Sequence, residues 1–252
     1  MTRGAKLAVV VPAYQERRFI ERTLRTMPGG VDLIVVVDDG STDGTADRVR
    51  RVVDPRIRLI VHERNRGVGA AIVSGYRCAL AEGADILVVM AGDNQMAPED
   101  FDSLVAPVLY GQADYSKGNR LAHHLAHDMP WGRRTAGRWL GLLTASATGL
   151  SISDSQCGYT AISAAAARNI PLLDLWPRYG YPNDLLALLA ARRLRVVEVP
   201  VRPVYRGEAS GVRAWHAFIV AYVVFRRWWS DRRRSRVPTT LTQPAAGSIP
   251  GD

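Results

Sequence analysis

The chain has 252 residues, 47% of them apolar, and its 33 Lys plus Arg outnumber 24 Asp plus Glu to leave a formal net charge of +9. This length accommodates one large α/β domain, with or without an appendage, and the apolar share is ordinary for a globular protein. Two cysteines are too few for a disulfide framework and point to a reducing compartment, while the positive balance suits nucleic acid, anionic lipid or phosphorylated substrates.

Nearly all of that charge is arginine, Lys6 and Lys117 being the only lysines. Residues 7–11 form an apolar run of strand length rather than a signal core, so a cytoplasmic location is expected. The first buried strand, 6–11, ends at Pro12-Ala13-Tyr14-Gln15-Glu16, because proline cannot continue a ladder. A helix with Phe19, Ile20, Leu24 and Met27 on one face follows and stops at Pro28-Gly29-Gly30. The second buried strand, 31–37, runs into Asp38-Asp39-Gly40-Ser41-Thr42-Asp43-Gly44-Thr45. There the glycines allow a tight reversal, and Ser41, Thr42 or Asp43 can cap the next helix. Residues 57–61 give a third strand, after which Asn65-Arg66-Gly67-Val68-Gly69 opens a helix through Ala70, Val73, Ala79 and Leu80.

Residues 86–90 are a short apolar run bounded by Gly83 and Gly92, the pattern of a strand buried on both faces of a parallel sheet. The chain leaves this strand through Asp93-Asn94-Gln95. Oxygen ligands at such a strand end suit magnesium or manganese carrying a phosphate, and an Asp-turn that merely stops the strand fits equally well. Gly67-x-Gly69 has the look of a phosphate cradle but lacks the full dinucleotide fingerprint, and no G-x-S-x-G elbow, Walker lysine or CxxC pair is present. His123-His124-x-x-His127-Asp128 reads as a solvated loop rather than a metal cluster.

Four strand–helix units up to about residue 109 predict a doubly wound, mostly parallel sheet, whose ligands collect at the carboxyl ends of the strands. Those ends carry Tyr14 and Glu16, then Asp38 and Asp39, then Asn65, then Asp93 and Gln95. Such an acid-rich rim accepts hydrogen bonds from a nucleobase and ribose, and a metal at Asp93 would handle phosphates; the site reads as one for a nucleotide with an attached group.

Taken in order, Val10-Val11-Pro12-Ala13-Tyr14-Gln15-Glu16, Val37-Asp38-Asp39-Gly40-Ser41-Thr42-Asp43-Gly44-Thr45, Asn65-Arg66-Gly67-Val68-Gly69 and Gly92-Asp93-Asn94-Gln95 resemble the family 2 glycosyltransferases of GT-A fold. Lys117-Gly118-Asn119-Arg120, Asp154-Ser155-Gln156-Cys157-Gly158-Tyr159 and Arg206-Gly207-Glu208-Ala209-Ser210 resemble the branch that makes dolichyl- or polyprenyl-phosphate mannose or glucose. The resemblance covers residues 6–215. It implies that Pro12, Tyr14, Glu16 and Asp39 hold the nucleoside, that Asp93 and Gln95 hold a metal and the diphosphate, and that Arg120 and Arg206 meet phosphates. It also implies inverting transfer from GDP-mannose or UDP-glucose to a polyprenyl phosphate. The chain departs from the pattern at Ala91, where an acid is usual, at Gln15 in place of asparagine, and at Thr160 and Gly211 in place of basic residues.

Past residue 110 the chain fits an acceptor region. Residues 131–150 carry Arg133, Arg134 and Arg138 beside Trp139, Leu140, Leu142 and Leu143, which serves either as core packing or as a lip for an acidic lipid headgroup. A turn at 154–159 precedes a small-residue helix at 161–168, and a further apolar helix is expected at 185–191. In hydroxyl-transferring relatives an acid near Asp184 acts as general base; the other reading of Asp184 is a helix cap at Leu185. Residues 195–201 form the last strand, and 202–210 a basic loop with Ser210 near the acceptor phosphate. A phosphate acceptor needs no strong base, because it already carries an oxyanion at neutral pH, whereas a sugar hydroxyl would need Asp184.

The expected organisation is a transferase domain at 1–212, split into a nucleotide-sugar half (1–110) and an acceptor half (111–212). A basic amphipathic helix at 213–236 would lie in the membrane interface, and 237–252 would be a disordered tail. The expected partners are a nucleotide-sugar, a polyprenyl phosphate and the inner face of the cytoplasmic membrane. Few aromatics interleave the arginine patches outside the tail, which argues against nucleic acid. A hydroxyl-directed transferase and a non-catalytic nucleotide-binding module are the alternatives.

Overall fold

Valine-rich runs flanked by helical segments have no polar face to turn to water, and both of their faces are buried here. The computed structural model describes residues 4–204 together with Tyr222 and Arg226. Its strands are β1 (Leu7–Ala13), β2 (Leu33–Asp38), β3 (Ile57–Val61), β4 (Ile86–Val89), β5 (Tyr115–Asn119), β6 (Thr160–Ser163) and β7 (Val196–Pro200). Its helices are α1 (Ile20–Arg25), α2 (Thr45–Arg50), α3 (Val68–Ala81), α4 (Phe101–Leu109), α5 (Trp131–Thr148), α6 (Ala164–Asn169) and α7 (Tyr181–Ala191).

All seven strands lie in one sheet, in the order β3-β2-β1-β4-β6-β5-β7. The alternation along β1 divides the core: Ala8 and Val10 pack with α3, α6 and α7, whereas Val9 and Val11 pack with α1 and α4 on the opposite face. β2 and β4 both pair with β1 in parallel, and β3 extends β2. The chain therefore steps outward from β1 to β3 and then returns to the other side of β1. This reversal makes the crevice between β1 and β4 the topological switch point where ligands bind.

β6 runs antiparallel to both β4 and β5, and β7 pairs parallel with β5. β4, β5 and β7 consequently point the same way, and the one reversed strand, β6, delivers the loop before it to the same rim. Both expected halves contribute to this single sheet.

Four local expectations are corrected. Residues 161–163 are strand rather than helix, and the helix starts at Ala164, where the Ser163 hydroxyl accepts from Ala166 N; the pairing with β4 and β5 overrides alanine's helical preference. β5 was not visible as a strand because its residues are polar, yet every one is buried. Of the three candidate caps for α2, Ser41 and Thr42 turn to the β1–α1 loop instead, whereas Asp43 Oδ1 accepts from Thr45 N at the helix start, with Gly44 in the N-cap position. α7 begins at Tyr181, with Pro182 in its first turn and Gly180 at its N-cap, so Asp184 lies inside the helix and does not cap Leu185. Of the segments expected beyond 204, the interfacial helix (213–236) contributes only Tyr222 and Arg226 to the described residues, and the tail (237–252) lies outside them.

α3 approaches the 176–178 segment without room for side chains at its start. A Cβ on Gly69 would overlap the Trp176 carbonyl oxygen, and one on Gly67, at φ +99°, the Pro177 carbonyl oxygen. Replacing glycine by alanine in a helix ordinarily stabilises by about 1 kcal/mol. For Gly69→Ala we expect the opposite sign, a loss of about 1–3 kcal/mol from overpacking against backbone. Gly132→Ala, whose Cβ would meet nothing within 4 Å, should be neutral or stabilising. Urea denaturation of the two variants checks the contrast, and equal effects would refute the tight seat.

Candidate active site

The carboxyl ends of β1, β2 and β3 are joined by hydrogen bonds between their loops. Gln15 N donates to Ser41 Oγ at 2.9 Å, Gln15 Nε2 to Thr42 Oγ1 at 2.9 Å, and Glu16 N to Thr45 Oγ1 at 2.9 Å. Arg17 N donates to Asp43, whose carboxyl is held below its ordinary value because hydrogen bonds from Thr45 and Arg17 outweigh the opposing effect of burial. Asp39 is a hub. Its Oδ1 accepts from Arg66 N at 2.9 Å and lies 2.7 Å from His62 Nδ1, and its Oδ2 accepts from Gly67 N at 2.7 Å. His62 Nε2 in turn lies 2.9 Å from Ser74 Oγ, which ties the hub to α3. Asp38 is fully buried, with Oδ1 accepting from Ser41 N and Oδ2 left without a hydrogen-bond partner among the described residues. Tyr14, 46% exposed, stands at the mouth of this rim.

After β4 the chain makes a tight turn in which Asp93 Oδ1 accepts from Gln95 N at 3.0 Å and Asn94 takes a left-handed φ of 57°. The Asp-turn is thus real, and it places Asp93 and Gln95 just past β4, beside the switch point. Gly92 N donates to Pro12 O, fastening this turn to β1. Among the described residues no group of three or more His, Cys, Asp or Glu could hold a metal.

Beyond β4, Arg120 leaves the end of β5 and grips the fully buried Asp154 with Nε at 2.8 Å, Nη2 at 2.9 Å and its backbone N at 3.1 Å. Burial pushes the Asp154 carboxyl up, but the Arg120 guanidinium, with Lys117 behind it, outweighs this and holds it below the ordinary carboxylate range. Glu198 on β7 accepts from Ser153 N, Ser153 Oγ, Asp154 N and Asn119 Nδ2 at 2.7–3.0 Å. Lys117 is wholly buried and donates to the Cys157 carbonyl, and burial pushes its amine below the ordinary lysine value. Two loops meant to face solvent are thereby tied to one sheet end, next to the Asp93 turn.

An acid-lined rim, a carboxylate–amide turn at the switch point and an arginine two strands away fit a sugar-nucleotide transferase. Residues 8–170 match the model of the family described as Glycosyl transferase family 2. The chain belongs to that family. This transferase is 31% identical over 208 residues to an undecaprenyl-phosphate mannosyltransferase of Micrococcus luteus, covering 80% of this chain and 84% of that one. It is 27% identical over 234 residues to a UDP-N-acetylglucosamine–dolichyl-phosphate N-acetylglucosaminyltransferase of Methanococcus voltae, covering 86% and 93%. Its fold superposes with a TM-score of 0.69 on glucosyl-3-phosphoglycerate synthase from Mycobacterium tuberculosis, solved with Mn2+, UDP and phosphoglyceric acid. That match has 23% identity and covers 89% of this chain and 78% of the other. The fold is therefore the expected GT-A arrangement.

The glycosyltransferase brings Pro12, Tyr14, Glu16, Asp38, Asp39, Asn65, Gly67, Asp93, Gln95 and Arg120 to one rim, as their places at the ends of β1 to β5 require. Arg133 and Arg134 sit in the first turn of α5, apart from that sheet end in sequence. Asp184 is fully buried in α7, with Oδ2 accepting from Trp176 N at 2.8 Å. Arg206 and Ser210 lie outside the described residues. His123, His124 and His127 form a short 3-10 turn (His124–Asp128) ahead of α5, where His123 Nδ1 accepts from Leu125 N. His62 and Glu198 were missed. A lone acid inside the apolar run Val196-Val197-Glu198-Val199 was the available signal for the second.

The Arg120–Asp154 pair makes a prediction with a sign. A carboxyl held below its ordinary value stabilises the fold above the unfolded value of about 3.9, and that contribution is lost as pH falls through the lower folded value. Asp154→Asn is expected to cost about 3–5 kcal/mol at pH 7, by leaving Arg120 uncompensated, and to flatten the acid limb of the stability profile. Urea melts from pH 7 down to pH 3 measure both, and an acid limb as steep as wild type would count against the pair.

Proposed function

We propose that this glycosyltransferase moves a hexose from a nucleotide-sugar to a polyprenyl phosphate with inversion at the anomeric carbon. The observation that carries this reading is the placement of Arg120 at the end of β5, parallel to β4 and separated from it only by β6. Two strand spacings put it roughly 10 Å from the Asp93 turn, a span that a hexose and one phosphate can bridge. The nucleoside is assigned to Pro12, Tyr14, Glu16, Asp38, Asp39, Asn65 and Gly67. The partnerless Asp38 Oδ2 supports this, since a buried carboxylate oxygen lacking a donor is costly until one arrives.

Asp93 and Gln95 fit a magnesium or manganese ion. Ala91 offers no side-chain oxygen, but magnesium is commonly held by one or two carboxylates with substrate phosphates and water completing its shell. When bound, such an ion would offset the charge growing on the leaving diphosphate. The chain's own residues do the positioning. Arg120, together with Arg133, Arg134 and the Arg206 and Ser210 loop, is assigned to the acceptor phosphate. An acceptor oxygen held there attacks the anomeric carbon from the face opposite the diphosphate, forming the new C–O bond as the old one breaks. No base is needed, which agrees with an Asp184 sealed inside α7; a hydroxyl acceptor would require that carboxylate to be reachable.

A membrane-surface location at the inner face of the cytoplasmic membrane follows from this reading. On α5 only Leu140, Gly141 and Thr144 are buried, while Trp131, Trp139, Leu142 and Leu143 are 52–74% exposed beside Arg133, Arg134 and Arg138. Trp131, Trp139, Leu142 and Leu143 share the outer face with Arg138, while Arg133 and Arg134 are half-buried at its border, and an apolar face edged by cationic groups suits the headgroup region of an anionic bilayer. Among the described residues no helix is long and apolar enough to cross a membrane.

The two relatives are named for different sugars, so the donor is the first thing to measure, with mannose favoured from the branch resemblance. Labelled GDP-mannose, UDP-glucose and UDP-N-acetylglucosamine would each be offered with a short polyprenyl phosphate, with magnesium, with manganese and with EDTA. Organic-soluble product from one donor, reduced about a hundredfold or more in Asp93→Ala, is the expected result. Donor binding without lipid product would overturn the acceptor assignment, and product undiminished by EDTA would overturn the metal.

A further inference from the structure

Asp184 presents a problem that the proposed chemistry does not solve: a carboxylate with no exposure, inside an apolar helix, in a reaction that has no use for a base. Its surroundings give it a different task. Asp184 Oδ2 accepts from Trp176 N at 2.8 Å, and the Trp176 indole Nε1 donates to Tyr179 O at 2.8 Å, so the 176–180 segment is pinned over the start of α7. The same segment forms the roof over the start of α3. Pro177 O accepts from Ala70 N at 3.2 Å, and the Trp176 and Pro177 carbonyls occupy the space where Gly69 and Gly67 lack side chains. Gly67 N is a donor to Asp39. A continuous set of contacts therefore runs from Asp184 through Trp176 and Pro177 to Gly67 and the Asp39 hub.

Two residues far along the chain close on the other end of this set. The Arg226 guanidinium lies 3.9 Å from Asp184 Oδ2 and 5.2 Å from the centre of the Trp176 ring, and the Tyr222 ring meets Trp176 edge-on with centroids 6.0 Å apart. Tyr222 and Arg226, both helical, reach the indole together. At 3.9 Å the charges attract without a hydrogen bond, and the cation–π and edge contacts add their own attraction. A buried carboxylate is expensive without a nearby cation, so Arg226 offsets part of the cost of burying Asp184, and Asp184 in turn holds Trp176.

We propose that Arg226 and Tyr222 are positioning residues for donor binding. By clamping Trp176 and compensating Asp184 they keep the Trp176–Pro177 roof seated on Gly67 and Gly69, and so keep the Asp39 loop in its nucleotide-accepting shape. This rests on the nucleotide-sugar reading of the rim. It assigns Asp184 to the clamp, and it makes Tyr222 and Arg226 a part of the donor site's support.

The test uses the full-length chain and measures UDP and GDP affinity by calorimetry, then donor KM and kcat with the donor found active. Arg226→Ala is expected to weaken nucleotide binding and raise donor KM roughly tenfold, with kcat within about threefold of wild type. Arg226→Lys, which keeps the charge but loses the planar stack, should restore part of the loss. Combining Arg226→Ala with Asp184→Asn should cost no more than the worse single change, because a neutral partner no longer needs the cation. Should Asp184→Asn fail to fold, Tyr222→Ala replaces it and is expected to be likewise non-additive with Arg226→Ala. Unchanged affinity and KM in Arg226→Ala, a lower melting temperature alone, or strictly additive effects would each overturn the proposal. Wild type that binds neither UDP nor GDP would instead bring down the nucleotide reading, and the clamp's role with it.

Discussion

A strand made of Tyr115, Ser116, Lys117, Gly118 and Asn119 can be buried only if each of its polar groups finds a partner, and the β5 side of the sheet is organised by that requirement. Ser116 is satisfied by the Leu104 carbonyl, Lys117 by the Cys157 carbonyl, and Asn119 by Ser153, Glu198 and the backbone of Leu121 and Ala122. These partners lie on α4, on the loop before β6 and on β7, so satisfying β5 also fixes where those elements stop. Arg120 inherits its position from the same set, because its guanidinium is aligned by an Asp154 that Glu198 holds from behind. A long, flexible side chain at the mouth of a site is thereby aimed before any ligand arrives.

The β1–β3 side uses a different device. Apart from Arg58 on the edge strand β3 and the closing Asp38 of β2, its strands are apolar, so the polar groups gather where the chain leaves the sheet, and the loops must then organise one another. Asp39 does this by accepting from two successive backbone amides of the 66–67 turn while His62 and Ser74 hold it from α3's side. The price is that much of the acid visible on this rim is spent on the protein's own backbone. A net charge of +9 with an acid-rich rim is then less contradictory than it looks: several of the carboxylates are internal acceptors, and arginines dominate what faces outward.

The two sides meet through β6. As the only strand antiparallel to its neighbours, it turns the 154–159 loop back toward the Asp93 turn, and Met96 packs within 3.3 Å of where a Gly158 side chain would begin. Without that reversal the loop would emerge at the opposite end of the sheet, beyond reach of the switch point.

Read alone, the sequence was enough for β1 to β4, because their signals are local. Continuous apolar runs of strand length, ended by proline, aspartate or glycine, mark β1, β2 and β4, with β3 interrupted by Arg58, and the residues just past each strand are on one rim of a parallel sheet. The family pattern added the rest of the expected site. The part of the sheet beyond β4 was not legible in the same way. β5 is polar and β6 is alanine-rich, so neither carries the periodicity of a strand, and only pairing with β4 and β7 makes them strands. Asp184 could be seen as an acid before an apolar helix, but Gly180 and Pro182 start that helix four residues earlier than the apolar pattern suggests and carry the carboxylate inside. His62 and Glu198 gain their roles from partners 23 and 45 residues away in the chain. Local pattern determined which residues form the sheet's first half and which crown it. Long-range pairing alone decided which charges face a ligand and which are held by the protein itself, since the energy of a buried charge depends on neighbours that no local stretch of sequence contains.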